Sequence, residues 1–168
     1  SAAFAEHAAA AIEAALRRPR DLADTARDVR EMRELMARER PPAGFWDVKL
    51  SAGGLVDIEF CAQFLQLAGA AEGGPLRQNT AEALAALAAA RPDRAGDIDA
   101  LLEGWRLQQS ASQLLKIALD DGADPAAEPS AFRALLARTA GRKTFAALVK
   151  AIERERARTR EVYHRLIH

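Results

Sequence analysis

A chain of 168 residues is the size of one ordinary domain and can bury a real core without disulfide staples. Its 24 Lys and Arg balance 24 Asp and Glu, so it lacks the one-signed field with which proteins usually hold nucleic acid or an anionic membrane. The single cysteine, Cys61, excludes an internal disulfide and by itself a structural zinc site; with no membrane-length apolar run and no signal peptide, a cytoplasmic setting is expected.

Forty alanines and 20 leucines stand against 16 Val, Ile and Thr together, which predicts an all-α fold. The chain opens at Ser1 without an initiator methionine, as a piece of a longer protein would. Residues 2–17 read as an Ala-rich helix stopped at Arg18-Pro19, because proline disfavours the helical conformation in the residue before it. Asp21 is a candidate N-cap, with Asp24 in the capping-box position, for a second helix running to about Arg38. Leu22, Ala26, Val29, Met32, Leu35 and Met36 form its apolar stripe, and Arg27, Arg30, Glu31, Arg33, Glu34 and Arg38 read as a solvated face. Pro41-Pro42 ends it. These first 40 residues are the N-terminal helices of a single domain spanning 1–168.

Residues 45–51 alternate, with Trp46, Val48 and Leu50 on one side and Asp47, Lys49 and Ser51 on the other, which predicts a short extended segment or edge strand. After the Ala52-Gly53-Gly54 turn a helix starts near Leu55 and carries Ile58, Cys61, Phe64, Leu65 and Ala68 inward, up to the Gly-rich residues 69–74. Asn79 or Thr80 caps an Ala-rich helix that ends before Pro92, and a longer one runs from about Ile98 to Leu119. Residues 122–129 are a loop; a short helix, 130–139, ends toward Gly141, and the last starts near Thr144. Six or seven helices with short connections make a bundle, residues 61–168 forming most of it.

Several constellations have plain structural readings. Asp97-Ile98-Asp99 has the spacing of a two-metal carboxylate pair, yet it lies at a helix start, where acidic residues favour the positive end of the dipole. His164 and His168 are four apart on the last helix, but no neighbouring carboxylate or cysteine completes a metal site. Arg154, Arg156, Arg158 and Arg160 alternate with Glu153, Glu155 and Glu161 as a solvated face would. Gln108 and Ser112 interrupt an apolar stripe and read as satisfied polar core residues. No catalytic residue and no metal ligand is assigned to the chain.

One segment concentrates chemistry. Trp46-Asp47-Val48-Lys49 leads through Gly53-Gly54-Leu55-Val56 into Asp57-Ile58-Glu59-Phe60. Glycines at such a junction permit close approach of a ligand or another backbone, and a helix start can offer N–H groups to an anion. Lys49 adds a phosphate-competent cation; Asp57 and Glu59 add acceptors.

Residues 47–60 resemble the D-x-K…G-G-[IL]-x-[DE]-I-E-F signature of the bacterial glutamine synthetase adenylyltransferase/deadenylyltransferase family. Asp28-Val29-Arg30-Glu31-Met32-Arg33 upstream and Gln63-Phe64-Leu65-Gln66-Leu67 downstream resemble the family too, and PII uridylyltransferases carry a similar helical region. The resemblance implies a two-headed enzyme in which polymerase-β-type nucleotidyltransferase domains alternate with helical ones. One head transfers AMP from ATP to a tyrosine of glutamine synthetase, with Mg²⁺ held by a Gly-Ser and Asp-x-Asp hallmark, and PII protein and glutamine set the direction. This chain lacks that hallmark and would be the helical companion of the adenylylating head, inactive alone, its Ile167-His168 ending resembling the family's C-terminus. On that reading Lys49, Gly53, Gly54, Asp57 and Glu59 are nucleotide-binding or domain-interface candidates facing a shared cleft.

Overall fold

The computed structural model describes residues 2–120 and 122–167, so His168 of the histidine pair lies outside the described residues. Seven α-helices follow in order: α1 (Ala2–Leu16), α2 (Leu22–Glu39), α3 (Leu55–Ala70), α4 (Thr80–Ala90), α5 (Ala95–Ala118), α6 (Ser130–Thr139) and α7 (Phe145–Leu166). Three-residue 3₁₀ turns at Pro92–Arg94 and Pro125–Ala127 punctuate the connections.

Asp21 caps as the sequence predicts, accepting from the Ala23 and Asp24 N–H groups at 2.8 and 3.0 Å, and of Asn79 and Thr80 it is Asn79 that caps, accepting from Glu82 at 3.1 Å. Thr144, where the sequence places the start of the last helix, caps it by accepting from Ala147 at 3.1 Å. Gly141 takes φ +68°, which lets the Arg142 N–H return to the Ala137 carbonyl at 2.8 Å and closes α6. α5 starts three residues earlier than its apolar spacing suggests, because the Pro92–Arg94 turn feeds straight into it.

Residues 45–51 are not an extended strand. The Asp47 N–H bonds to the Gly44 carbonyl at 3.1 Å, Val48 to Trp46 at 2.8 Å and Ser51 to Asp47 at 3.1 Å, so the segment is wound into successive turns. Period-two alternation still correctly marks Val48 as buried. With no neighbouring strand among the described residues to take its backbone groups, the segment satisfies them locally.

α5 is the axle of the bundle, packing on α3, α4, α6 and α7. Its first half joins α3, α4 and the end of α7 around Ile58, Leu84, Ile98 and Leu101. Its second half joins α6 and the start of α7 around Leu107, Leu136, Leu148 and Ile152. Burying each such side chain stabilises the fold by about 1.5–3 kcal/mol. Between the two clusters lie buried Gln108, Glu155, Arg156 and Thr159. Gly104 lets α7 come close here, since a Cβ on it would meet Thr159 Oγ1 at 3.1 Å and Ile58 Cδ1 at 3.4 Å.

The N-terminal helices pack less. α2 rests on α3, and only Ala26 of its apolar stripe is fully buried. α1 is tied where Arg17 donates to the Ala70 and Gly74 carbonyls at 3.0 and 3.2 Å. No helix among the described residues is long and apolar enough to cross a membrane.

Candidate functional site

The signature segment is a knot of turns cinched by two carboxylates. Asp47 accepts from the Leu50 N–H at 2.9 Å and the Ala43 N–H at 3.2 Å, which closes its first loop. Asp57, in the first turn of α3, reaches back to accept from the Gly53 N–H at 2.5 Å. Its other oxygen is ion-paired with the Arg33 guanidinium, which also donates to the Leu50 carbonyl at 2.9 Å. Arg33 therefore clamps α2, the turn and α3 together. Both members of this pair are largely withdrawn from water, so losing one strands a charge.

The glycines are there for packing. Gly53 has φ +77°, and a Cβ on it would lie 2.2 Å from the Arg156 carbonyl oxygen of α7. A Cβ on Gly54 would lie 2.7 Å from the Ser51 and Val48 carbonyl oxygens. The turn thus faces the core, and its glycines are buried rather than open to a cleft. Nor does the start of α3 await an anion. Leu55 N–H donates to Val48 at 2.9 Å, Val56 N–H to Lys49 at 3.2 Å, and Gly54 N–H to Ser51 at 2.8 Å. Those donors are consumed by the preceding turn.

Behind the turn sits a polar relay. The Gln108 amide donates to the Gly53 carbonyl at 3.0 Å, and its oxygen accepts from Arg156 Nε at 3.4 Å. Arg156 Nη2 reaches the Asp47 carbonyl at 3.4 Å, and its guanidinium lies 5.1 Å from the Phe45 ring centroid. Burial pulls the Arg156 guanidinium below its ordinary range, with Asp47 opposing. Glu155 is buried under two arginines, Arg154 at 2.7 Å and Arg158 at 3.0 Å. The charged face expected on α7 is therefore solvated only in part: Glu155 and Arg156 turn inward. The same holds on α2, where Arg33 goes inward and Arg30 is half-buried.

Lys49 and Glu59 behave differently. Lys49 is exposed on the rim of a cleft of about 760 Å³, with Lys116 across from it and Trp46, Ser112, Phe145 and Val149 among its walls. Trp46 stacks on Phe145 at 5.3 Å between centroids. Glu59 is half-buried; burial pushes its carboxyl up, while Lys49 and then Lys116 pull it down. Ser112, read as a core residue, is buried yet borders this cleft.

Asp97 bonds Arg165 at 2.6 Å and lies 3.7 Å from Arg94, so it staples the start of α5 to the end of α7. Among the described residues, no three His, Cys, Asp or Glu side chains converge where a metal ion could sit. Tyr163 is buried against Cys61 and Asp57, and its hydroxyl has no partner among the described residues. Burial pushes that hydroxyl up to about 12, reinforced by Asp57 and Cys61 and opposed by Arg33 and Arg30.

Two residues of this assembly, Arg33 and Arg156, escape a reading by composition, while Gln108 is the satisfied polar core residue the sequence predicts. A signal for the two arginines existed. Ala26, Arg30 and Arg33 share one helical stripe at i, i+4 and i+7, and Glu155, Arg156 and Thr159 continue the stripe of Leu148 and Ile152.

A family model described as GlnD PII-uridylyltransferase matches residues 23–167, from the start of α2 to the end of the described chain. The chain belongs to that family. Within it, the chain is similar to the bifunctional glutamine synthetase adenylyltransferase/adenylyl-removing enzyme of Caulobacter vibrioides, 56% identical over 98% of this chain and 17% of the relative. The enzyme of the same name from Brucella suis is 45% identical over 77% of this chain and 13% of its own length. That from Rhodopseudomonas palustris strain TIE-1 is 34% identical over 93% of this chain and 16% of its own. The resemblance read from the signature is borne out, and the chain spans about a sixth of the relatives it matches. No solved structure matches it. As a GlnD-family domain it keeps the signature as an internal joint, with Lys49 and Glu59 at the surface end.

Proposed function

We propose that this chain is the helical companion domain of a glutamine synthetase adenylyltransferase, adjoining the nucleotidyltransferase domain that transfers AMP from ATP to a tyrosine of glutamine synthetase. The observation that carries this reading is 56% identity to the Caulobacter enzyme over nearly the whole chain. The domain does no chemistry alone: its buried carboxylates Asp57 and Glu155 are each committed to arginines, and Asp97 to Arg94 and Arg165. These carboxylates do not fit a Mg²⁺ site, so ATP and Mg²⁺ belong to the companion head. PII protein and glutamine synthetase itself are the partners of the whole enzyme, and the setting is cytoplasmic.

Within this reading, Gly53, Gly54 and Asp57 hold the joint, and Lys49 supplies charge toward the nucleotide from the rim. An exposed lysine can be removed at little structural expense. In the full-length enzyme, Lys49→Ala is therefore expected to cut AMP transfer to glutamine synthetase about tenfold or more, with the melting temperature unchanged. Unaltered turnover removes Lys49 from the active site and leaves a purely architectural domain. The uridylyltransferase reading, favoured by the family model's description, is tested in the same assay by offering PII protein and UTP instead.

A further inference from the structure

α1 and α2 leave large apolar side chains uncovered. Phe4 is 75% exposed, Ile12 61%, Met32 51%, Leu22 46% and Leu35 43%. Phe4 and Ile12 are eight residues apart on one face of α1. On α2, Met32 and Leu35 extend in three-residue steps the apolar band that begins at buried Ala26 and half-buried Val29, and the band winds round the helix until Leu35 stands beside Glu31. A band that starts inside the core and runs out into solvent marks a surface built to be covered.

Two observations say by what. The family model starts at residue 23, so α1 lies outside the region it matches, and the two core clusters close without any residue of α1. The relatives continue far beyond this chain, which spans 17% of the Caulobacter protein. We infer that the uncovered apolar side chains of α1 and α2, Phe4, Ile12, Leu22, Met32 and Leu35, seat the adjoining nucleotidyltransferase domain. This rests on the companion-domain reading and sharpens it: the seat lies on α1 and α2, while the glycine turn of the signature is internal to the helical domain. Arg33 then couples the two, since the helix that carries Met32 and Leu35 also grips Asp57 and Leu50.

Hydrogen exchange tests this in two settings. In the 168-residue chain, the amides of residues 4–12 and 32–38 are expected to exchange as poorly protected helix. In the full-length protein they slow by about tenfold or more, because opening now requires undocking. The double variant Met32→Glu/Leu35→Glu leaves the melting temperature of the 168-residue chain unchanged and abolishes the added protection in the full-length protein. Equal exchange in both settings overturns the inference. So does a 168-residue chain that sediments as a dimer and becomes monomeric in the double variant, since the flank would then seat a second copy. Added protection in a full-length protein that transfers no AMP keeps the docking face and sinks the proposed activity; transfer without added protection does the reverse.

Discussion

α2 and α7 carry nearly the same kind of sequence, arginines and glutamates interleaved with an apolar stripe, and the fold uses them in opposite ways. α7 packs on α3, α5 and α6 and takes Glu155, Arg156 and Thr159 inside with it. α2 packs on α3, sends Arg33 inward and leaves Met32 and Leu35 in solvent. What separates them is the number of neighbours. A helix enclosed on several sides must bury whatever lies on its stripe, and a buried charge persists only when paired. α2, covered on one side, turns Arg33 and part of Arg30 inward, and Arg33 locks the signature turn. The contrast shows that charge alternation does not by itself mean a solvated face.

The largest expected effect strikes where the turn meets α7. Gly53→Ala forces a Cβ into the Arg156 carbonyl and a left-handed backbone onto alanine. Strain and overpacking together destabilise by about 4 kcal/mol, read by chemical denaturation; a loss below about 1 kcal/mol would show that α7 yields easily and that the contact is not rigid.

Next comes the inward charge of α2 that grips the turn. Arg33→Ala leaves Asp57 buried without its partner and is expected to cost about 3 kcal/mol. Arg33→Ala combined with Asp57→Asn should recover part of that loss. If the double variant is no better than the single one, the clamp acts through the Leu50 carbonyl instead.

A smaller effect, of opposite sign, sits on α7. The Tyr163 hydroxyl is buried without a partner among the described residues, so Tyr163→Phe is expected to be neutral or to stabilise by up to about 1 kcal/mol. The phenol titrates near 10 when unfolded and near 12 when folded. Between those values the unfolded chain holds fewer protons, so stability falls as pH rises from about 10 toward 12. Tyr163→Phe should flatten that part of the alkaline limb in a pH series of thermal melts; an unchanged limb would place the titration elsewhere.

The smallest effect concerns the rim. Lys49 and Lys116 both hold the Glu59 carboxyl down against the push of burial. Lys49→Ala should move the Glu59 titration, followed by carboxyl-carbon NMR, further up, and by more than Lys116→Ala does. Equal or absent shifts would mean that the lysines point away from Glu59.

Much of this was legible before any coordinates. Asp21 and Asn79 cap their helices because a side-chain oxygen beside a free helix end has one obvious partner within three residues. The family was legible too, since the signature is contiguous. What failed was reading polarity as exposure. Arg33, Glu155 and Arg156 lie on apolar stripes, but composition draws the eye to their charge. Residues 45–51 alternate like a strand, yet a strand needs a partner to take its hydrogen bonds, and none adjoins.

The sequence by itself therefore determined the helices, their caps, the class and the family, because each rests on neighbours within a few residues or on a contiguous motif. Only the tertiary structure decided that Gly53 must be glycine because of a carbonyl more than a hundred residues away, and that Arg33 belongs to the signature. It also decided that the signature's helix start is closed to anions while Lys49 stays open to the cleft. Those are facts about which surfaces meet, and meeting is set by packing geometry that no local pattern encodes.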